Sequence, residues 1–206
     1  MENFVYSVPT TVYFGKGQVR HIANIVSAYG KSVLLVYGGG SIKRNGIYDA
    51  VTDIFQANGI SYHELSGVEP NPRITTVRKG VELCRKEGIE VVLPIGGGST
   101  IDCAKVIAAA VSYEGDAWDI VLDPSKIVSV LPIVSILTLA ATGSEMDTFA
   151  VISNLETNDK IGTSHEDMRP KASILDPSYT FSVSAYQTAA GTADIMSHIL
   201  ECYFSN

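Results

Sequence analysis

The segment Pro94-Ile95-Gly96-Gly97-Gly98-Ser99-Thr100-Ile101-Asp102 sets an apolar run against three glycines and a polar helix start. Glycine has no Cβ, so its backbone can come close to a bulky anion. The free N–H groups and the positive end of a helix favour that anion. In this reading Ser99 donates to a phosphate oxygen, and Asp102, one turn in, accepts from a sugar hydroxyl or an amide. The same residues also suit a tight strand-to-helix turn with Ser99 as the helix cap. A second run, Gly38-Gly39-Gly40-Ser41, follows another apolar stretch. Two such turns at the carboxyl ends of neighbouring parallel strands would converge on one crevice, where open α/β sheets bind their ligands.

Three further groups have types and spacings suited to chemistry. Asn71 is fixed between Pro70 and Pro72, because each proline restricts its neighbour; it reads either as a ligand contact or as a turn residue. Thr138, Leu139, Thr142 and Ser144 surround Gly143 after an apolar run. Their hydroxyls suit phosphate or amide contacts, or equally a turn in which Thr142 or Ser144 caps a helix. Asp194 and His198 are four residues apart and share one helical face. A carboxylate and an imidazole so placed can grip a divalent metal, or simply pair at the surface; a catalytic metal normally takes three or more ligands from protein. His21 on a short helix, His63 at a strand end and His165 in a polar stretch receive no role.

The elements that must hold these residues follow from the apolar periodicity. Val33–Tyr37, Ile60–Leu65, Val91–Ile95, Ile133–Leu137 and Ala172–Leu175 read as strands. Ala150–Ser153 and Lys160–Gly162 read as short strands around a polar turn. Helical spacing covers Ile47–Phe55, stopped by Asn58-Gly59, then Ile74–Cys84, closed by Gly88, and Thr100–Ser112. From Ala185 a single helical pattern runs on with an apolar face and no stop signal, the texture of a truncated chain. Alternating buried strands and helices predict an α/β fold, a doubly wound, Rossmann-like and mostly parallel sheet. Residues 1–178 form that domain, and 179–206 begin an all-helical second one.

Composition narrows the function classes. The chain has 206 residues, 46% hydrophobic, and a formal net charge of -7, which disfavours a nucleic-acid partner. It has neither a polybasic stretch for anionic membranes nor an apolar run long enough to span one. The start lacks the pattern of a signal peptide. Three widely spaced cysteines, Cys84, Cys103 and Cys202, read as free and mostly buried thiols of a cytoplasmic protein.

Taken together, the segments YGGGSIKRNG, GVEPNP, PIGGGSTIDCAK, LTLAATGSEMDTFAVIS, ILDPSYT and GTADIMSHILECY resemble the iron-containing alcohol dehydrogenase family, in particular its butanol dehydrogenase and aldehyde reductase branch. The resemblance implies interconversion of alcohols and aldehydes by hydride transfer with a nicotinamide cofactor. It implies that the first glycine turn, Gly38, Gly39, Gly40 and Ser41, and Asn71 belong to the cofactor site. It further implies that Gly96, Gly97, Gly98 and Ser99 bind the pyrophosphate, Asp102 the nicotinamide side, and Thr138, Leu139 and Thr142 the adenosine and phosphate path, with Ser144 also among the cofactor contacts. Lys160 and Tyr179 match further cofactor contacts, and Asp194 and His198 the first two of four iron ligands. Zn²⁺ is the alternative metal, since His and Asp accept both.

Gly39 and Ser41 bring no negative charge to the first turn, and Lys43 and Arg44 stand close in sequence. NADP(H) is therefore the expected cofactor, with NAD(H) the alternative. The resemblance also implies a homodimer paired through an N-terminal strand such as Tyr6–Phe14. Because the last two iron ligands are missing, a chain that binds nucleotide but turns over poorly is expected. Two other readings stand beside this one: an enzyme of the glycerol dehydrogenase and dehydroquinate synthase group, and a non-catalytic nucleotide-binding module.

Overall fold

The computed structural model describes residues 7–205. Its centre is a six-stranded, all-parallel sheet. In chain order the strands are β1 (Thr11–Phe14), β2 (Ser32–Tyr37), β3 (Ser61–Leu65), β4 (Val91–Gly96), β5 (Val134–Leu137) and, after a separate hairpin, β8 (Ala172–Leu175). The spatial order is β1-β8-β5-β4-β2-β3. From β2 the chain moves outward to β3, then returns past β2 to lay down β4, β5 and β8. The direction therefore reverses between β2 and β4, which pair in parallel with Tyr37 opposite Ile95. The hairpin is β6 (Phe149–Asn154) and β7 (Asp159–Ser164), antiparallel, with Asn158 in the left-handed region at its turn (φ 58°).

β2 and β4 are apolar on both sides because helices cover both faces of the sheet. Along β2, Leu34 and Val36 enter one core, while Val33, Leu35 and Tyr37 enter the other. Along β4, Val92 opposes Val91, Leu93 and Ile95 in the same way. The first face is covered by α4 (Ile74–Glu87), α5 (Gly98–Ala110) and α6 (Ala117–Leu122), the second by α1 (Ile22–Ser27) and α3 (Ile47–Ala57). α5 packs against β4, α4, α6 and β6. Its alanines let these neighbours approach on every side, so it is buried almost all round. Gly88, in the left-handed region, stops α4, and its N–H donates to the Cys84 carbonyl. The short α2 (Ser41–Arg44) leaves the first glycine turn, and the last helix, α7 (Ala185–Phe204), is capped by Ser184, which accepts from Gln187 N–H.

Most expected elements appear, with three corrections. α5 starts at Gly98, two residues before the expected Thr100, and Gly97 takes the N-cap position. Ser99 therefore lies inside the helix and does not cap it. His63 lies in the middle of β3, not at its end, because β3 pairs with β2 through Leu65. Residues 142–147 form turns with no helix for Thr142 or Ser144 to cap. Of the expected pairing strand Tyr6–Phe14, Tyr6 lies outside the described residues, and Thr11–Phe14 forms a sheet edge. Cys84 and Cys103 are buried and Cys202 is exposed; burial pushes the Cys84 thiol up to about 12. Among the described residues no helix is long and apolar enough to cross a membrane.

Candidate nucleotide and metal cleft

The reversal between β2 and β4 puts a glycine turn on each side of the place where an open α/β sheet receives a ligand. The second turn leads into a cleft of about 430 Å³. Nine of the residues singled out from the sequence line it: Asn71, Gly98, Ser99, Asp102, Thr142, Ser144, Lys160, Asp194 and His198. They come from five separate stretches of chain. Asn71 is in the left-handed region (φ 57°), and its loop is tied to the hairpin by Ser153 N–H donating to the Pro72 carbonyl at 2.8 Å. Lys160 enters from β7.

The second glycine turn is shaped by what packs on it. A Cβ on Gly98 would come within 2.6 Å of Thr142 Oγ1, and one on Gly97 within 3.3 Å of Leu139. Thr138 N–H donates to the Gly96 carbonyl at 3.0 Å. Gly96, Gly97, Thr138 and Leu139 thus form the backing of the turn, outside the residues that line the cleft. Gly97 and Gly98 leave room for the 138–142 segment.

The cleft floor is a polar network that the sequence reading did not identify. Lys105, on α5, is fully buried. Its ammonium donates to Ser144 Oγ (2.9 Å), Asp147 Oδ1 (2.7 Å) and the Phe149 carbonyl (2.8 Å), which uses all three protons. Ser144 in turn donates to Asp102 Oδ1 (2.7 Å), and Val151 N–H donates to Asp102 Oδ2 (3.0 Å). Burial pushes the Asp102 carboxyl above its ordinary range, against the hydrogen bonds from Ser144 and Val151. Burial likewise lowers the Lys105 ammonium, against the attraction of Asp147. The signal for this network was present in the sequence: Lys105 is a lone cation among Cys103, Ala104, Val106 and Ile107, one turn from Asp102.

At the far wall Asp194 and His198 face each other on α7, with His198 Nε2 3.8 Å from Asp194 Oδ1. Both side chains are about half exposed toward the cleft they line. A carboxylate oxygen and an imidazole nitrogen suit Fe²⁺ or Zn²⁺, but among the described residues no third His, Cys, Asp or Glu joins them.

Three expected site elements lie elsewhere. Gly38, Gly39, Gly40 and Ser41 do not line this cleft; their turn is laced to Gly67 and Val68, with Gly67 N–H donating to the Gly38 carbonyl at 3.2 Å. Tyr179 packs, half-buried, against the core on the α1–α3 face. Lys43 is engaged by Glu64 at 3.3 Å, so it is not the free counter-charge expected from its place in the sequence.

The model of the family described as iron-containing alcohol dehydrogenase matches residues 9–177. The chain is 66% identical to NADH-dependent butanol dehydrogenase A of Clostridium acetobutylicum, over all of this chain and 53% of that protein. It is 38% identical to the NADPH-dependent aldehyde reductase YqhD of Escherichia coli, over 98% of this chain and 52% of that one. Among solved structures, NADH-dependent butanol dehydrogenase A of Thermotoga maritima superposes with a TM-score of 0.94 at 47% identity, covering 99% of this chain and 52% of that one. The chain thus spans about half the length of the relatives it matches.

Proposed function

Because this chain belongs to the iron-containing alcohol dehydrogenase family, we propose that it is the nicotinamide-binding part of an alcohol and aldehyde oxidoreductase. The observation that carries this is the convergence of Asn71, Ser99, Asp102, Thr142, Lys160, Asp194 and His198 on one cleft beside the reversal of the sheet. In this reading the dinucleotide enters past Gly98 and Ser99, whose N–H groups open α5 toward its phosphates. Asp102, held by Ser144 and Val151, orients the nicotinamide end, and Lys160 and Asn71 close the other side. Asp194 and His198 would hold the metal as part of a larger ligand set. When bound, the metal supplies Lewis acidity toward the alcohol or carbonyl oxygen, and the nicotinamide supplies the hydride acceptor or donor. The chain's own work is position and charge. Residues 1–178 would form the cofactor domain and 179–206 the start of the metal-binding one. Homodimer formation through β1 and a cytoplasmic location remain part of the same proposal.

The expected preference for NADP(H) loses its support. The relative at 66% identity is named for NADH and the one at 38% for NADPH. Lys43, meanwhile, is engaged by Glu64. NAD(H) is therefore the proposed cofactor. Titration of the chain with NADH, following nicotinamide fluorescence with and without Fe²⁺, tests the reading. Binding is expected with or without the metal, and Gly98→Ala, which sets a methyl against Thr142, is expected to weaken it about tenfold or more. Unchanged binding in Gly98→Ala would move the nucleotide out of this cleft.

A further inference from the structure

The first glycine turn ends beside a compact group of four side chains that the cleft does not use. Tyr37 is the last residue of β2, immediately before Gly38. Glu64 is the penultimate residue of β3. Lys43 lies on α2, just after the turn, and Tyr48 lies on α3. Glu64 Oε2 accepts from the Tyr37 hydroxyl and, at 3.3 Å, from the Lys43 ammonium; Oε1 accepts from the Tyr48 hydroxyl at 2.6 Å. The Lys43 ammonium also stands 4.2 Å over the Tyr48 ring and 5.3 Å from the Tyr37 ring. One carboxylate thus holds three donors from three elements, and two aromatic faces hold the cation from the other side.

These contacts fix the charge of the corner. Burial alone would raise the Glu64 carboxyl, but hydrogen bonds from Tyr37, Tyr48 and Lys43 outweigh it and hold Glu64 below its ordinary range. It is therefore ionised at neutral pH. The Glu64 hydrogen bond raises the Tyr48 hydroxyl, which stays protonated as a donor. One negative and one positive group cancel, and neither is free for a ligand.

We propose that the Tyr37, Lys43, Tyr48 and Glu64 cluster selects an unphosphorylated adenosine ribose, NAD(H) over NADP(H), by locking Lys43 into an internal ion pair beside the first glycine turn. A 2′-phosphate brought to this turn carries nearly two negative charges. It would need a cation already committed to Glu64, and it would face the Glu64 carboxylate. A ribose hydroxyl brings no charge and needs neither change. The selection works by an unpaired charge set against the wrong ligand, with no added attraction for the right one. The inference rests on the nicotinamide reading above.

The test is titration of the full chain with NADH and NADPH at low salt, using wild type, Glu64→Gln, and Glu64→Gln combined with Lys43→Ala. Wild type is expected to bind NADH at least about tenfold more tightly than NADPH. Glu64→Gln is expected to gain about tenfold for NADPH while NADH changes less than about threefold. The double variant is expected to lose that gain. Glu64→Ala, which removes the same charge, replaces Glu64→Gln if circular dichroism shows that variant unfolded. An unchanged NADPH affinity in a folded variant that still binds NADH overturns the proposal. So does a wild type that prefers NADPH, which would leave Arg44 as the cation that answers the phosphate. If wild type binds neither nucleotide, the cofactor reading itself falls and takes this inference with it.

Discussion

The ammonium of Lys105 joins the floor of the cleft to its wall. Through Ser144 it fixes Asp102 on its own helix, and through Asp147 and Phe149 it anchors the segment leading into β6. Removing a buried charge that others depend on costs more than removing one neutral member of its network. Lys105→Met is therefore expected to destabilise the fold by about 2–4 kcal/mol, below the cost for a fully sequestered pair because Asp147 is 37% exposed. Ser144→Ala is expected to cost about 1–2 kcal/mol. Urea midpoints give the order; Ser144→Ala as the more damaging change would displace Lys105 as the anchor. At this scale the sequence was informative where backbone rules act. The glycine turn indicates Ser99 and Asp102, and helical spacing pairs Asp194 with His198. It was silent where register decides. Nothing adjacent in the chain joins Glu64 to Tyr37 and Tyr48, whose meeting depends on β3 pairing with β2 and α3 returning over them.

Among the elements, α6 shows how one residue can serve two joints. Asp116 caps it, with Oδ1 accepting from Trp118 N–H at 2.8 Å, and takes two hydrogen bonds from Arg78 on α4. α6 in turn packs on β7, the strand that carries Lys160. The Arg78 hydrogen bonds, with the Trp118 N–H and against some burial, hold the Asp116 carboxyl below its ordinary 3.8. A depressed carboxyl stabilises the fold above its unfolded value and loses that contribution as pH falls through the folded one. Asp116→Ala is expected to cost about 1–2 kcal/mol at pH 7, mostly as a lost cap because the side chain is 44% exposed. The gap to wild type should close as pH drops below about 3.8; a gap constant down to pH 2 would mean that the carboxylate charge contributes nothing. Strands and helix stops were legible here because apolar runs and residues such as Gly88 act locally. The start of α5 was misplaced by two residues because its first turn is set from outside: Thr138, Leu139 and Thr142 close over Gly96–Gly98, and Gly97 takes the cap.

For the whole molecule, unbroken apolar strands alternating with helices were enough to predict a parallel sheet covered on both faces and a ligand crevice at its reversal. They could not give the strand order, since the buried strands β2, β4 and β5 look alike in sequence and pairing is a long-range choice. The helical pattern after Ala185 does announce an apolar face, and Ile199, Tyr203 and Phe204 on α7 are 62–78% exposed. The least predictable neighbours are β1 and β8, the first and last strands of the sheet, which lie side by side from Thr11 opposite Ala172 to Phe14 opposite Leu175. Thr10 Oγ1 donates to the Pro170 carbonyl across 160 residues of sequence. During synthesis at about 5–20 residues per second, that strand waits roughly 8–30 s for its partner to emerge, with Phe14 exposed to solvent even afterwards. Closing so long a loop delays pairing but adds little to its thermodynamic cost. Pulse-labelled refolding should therefore protect the amides of Val33–Tyr37 and Val91–Ile95 first and those of Thr11–Phe14 last. Simultaneous protection would mean that the sheet assembles in one step. A nascent chain carries β1 unsatisfied until β8 emerges some 160 residues later, and in that interval it is most open to capture by a chaperone or by another copy of itself.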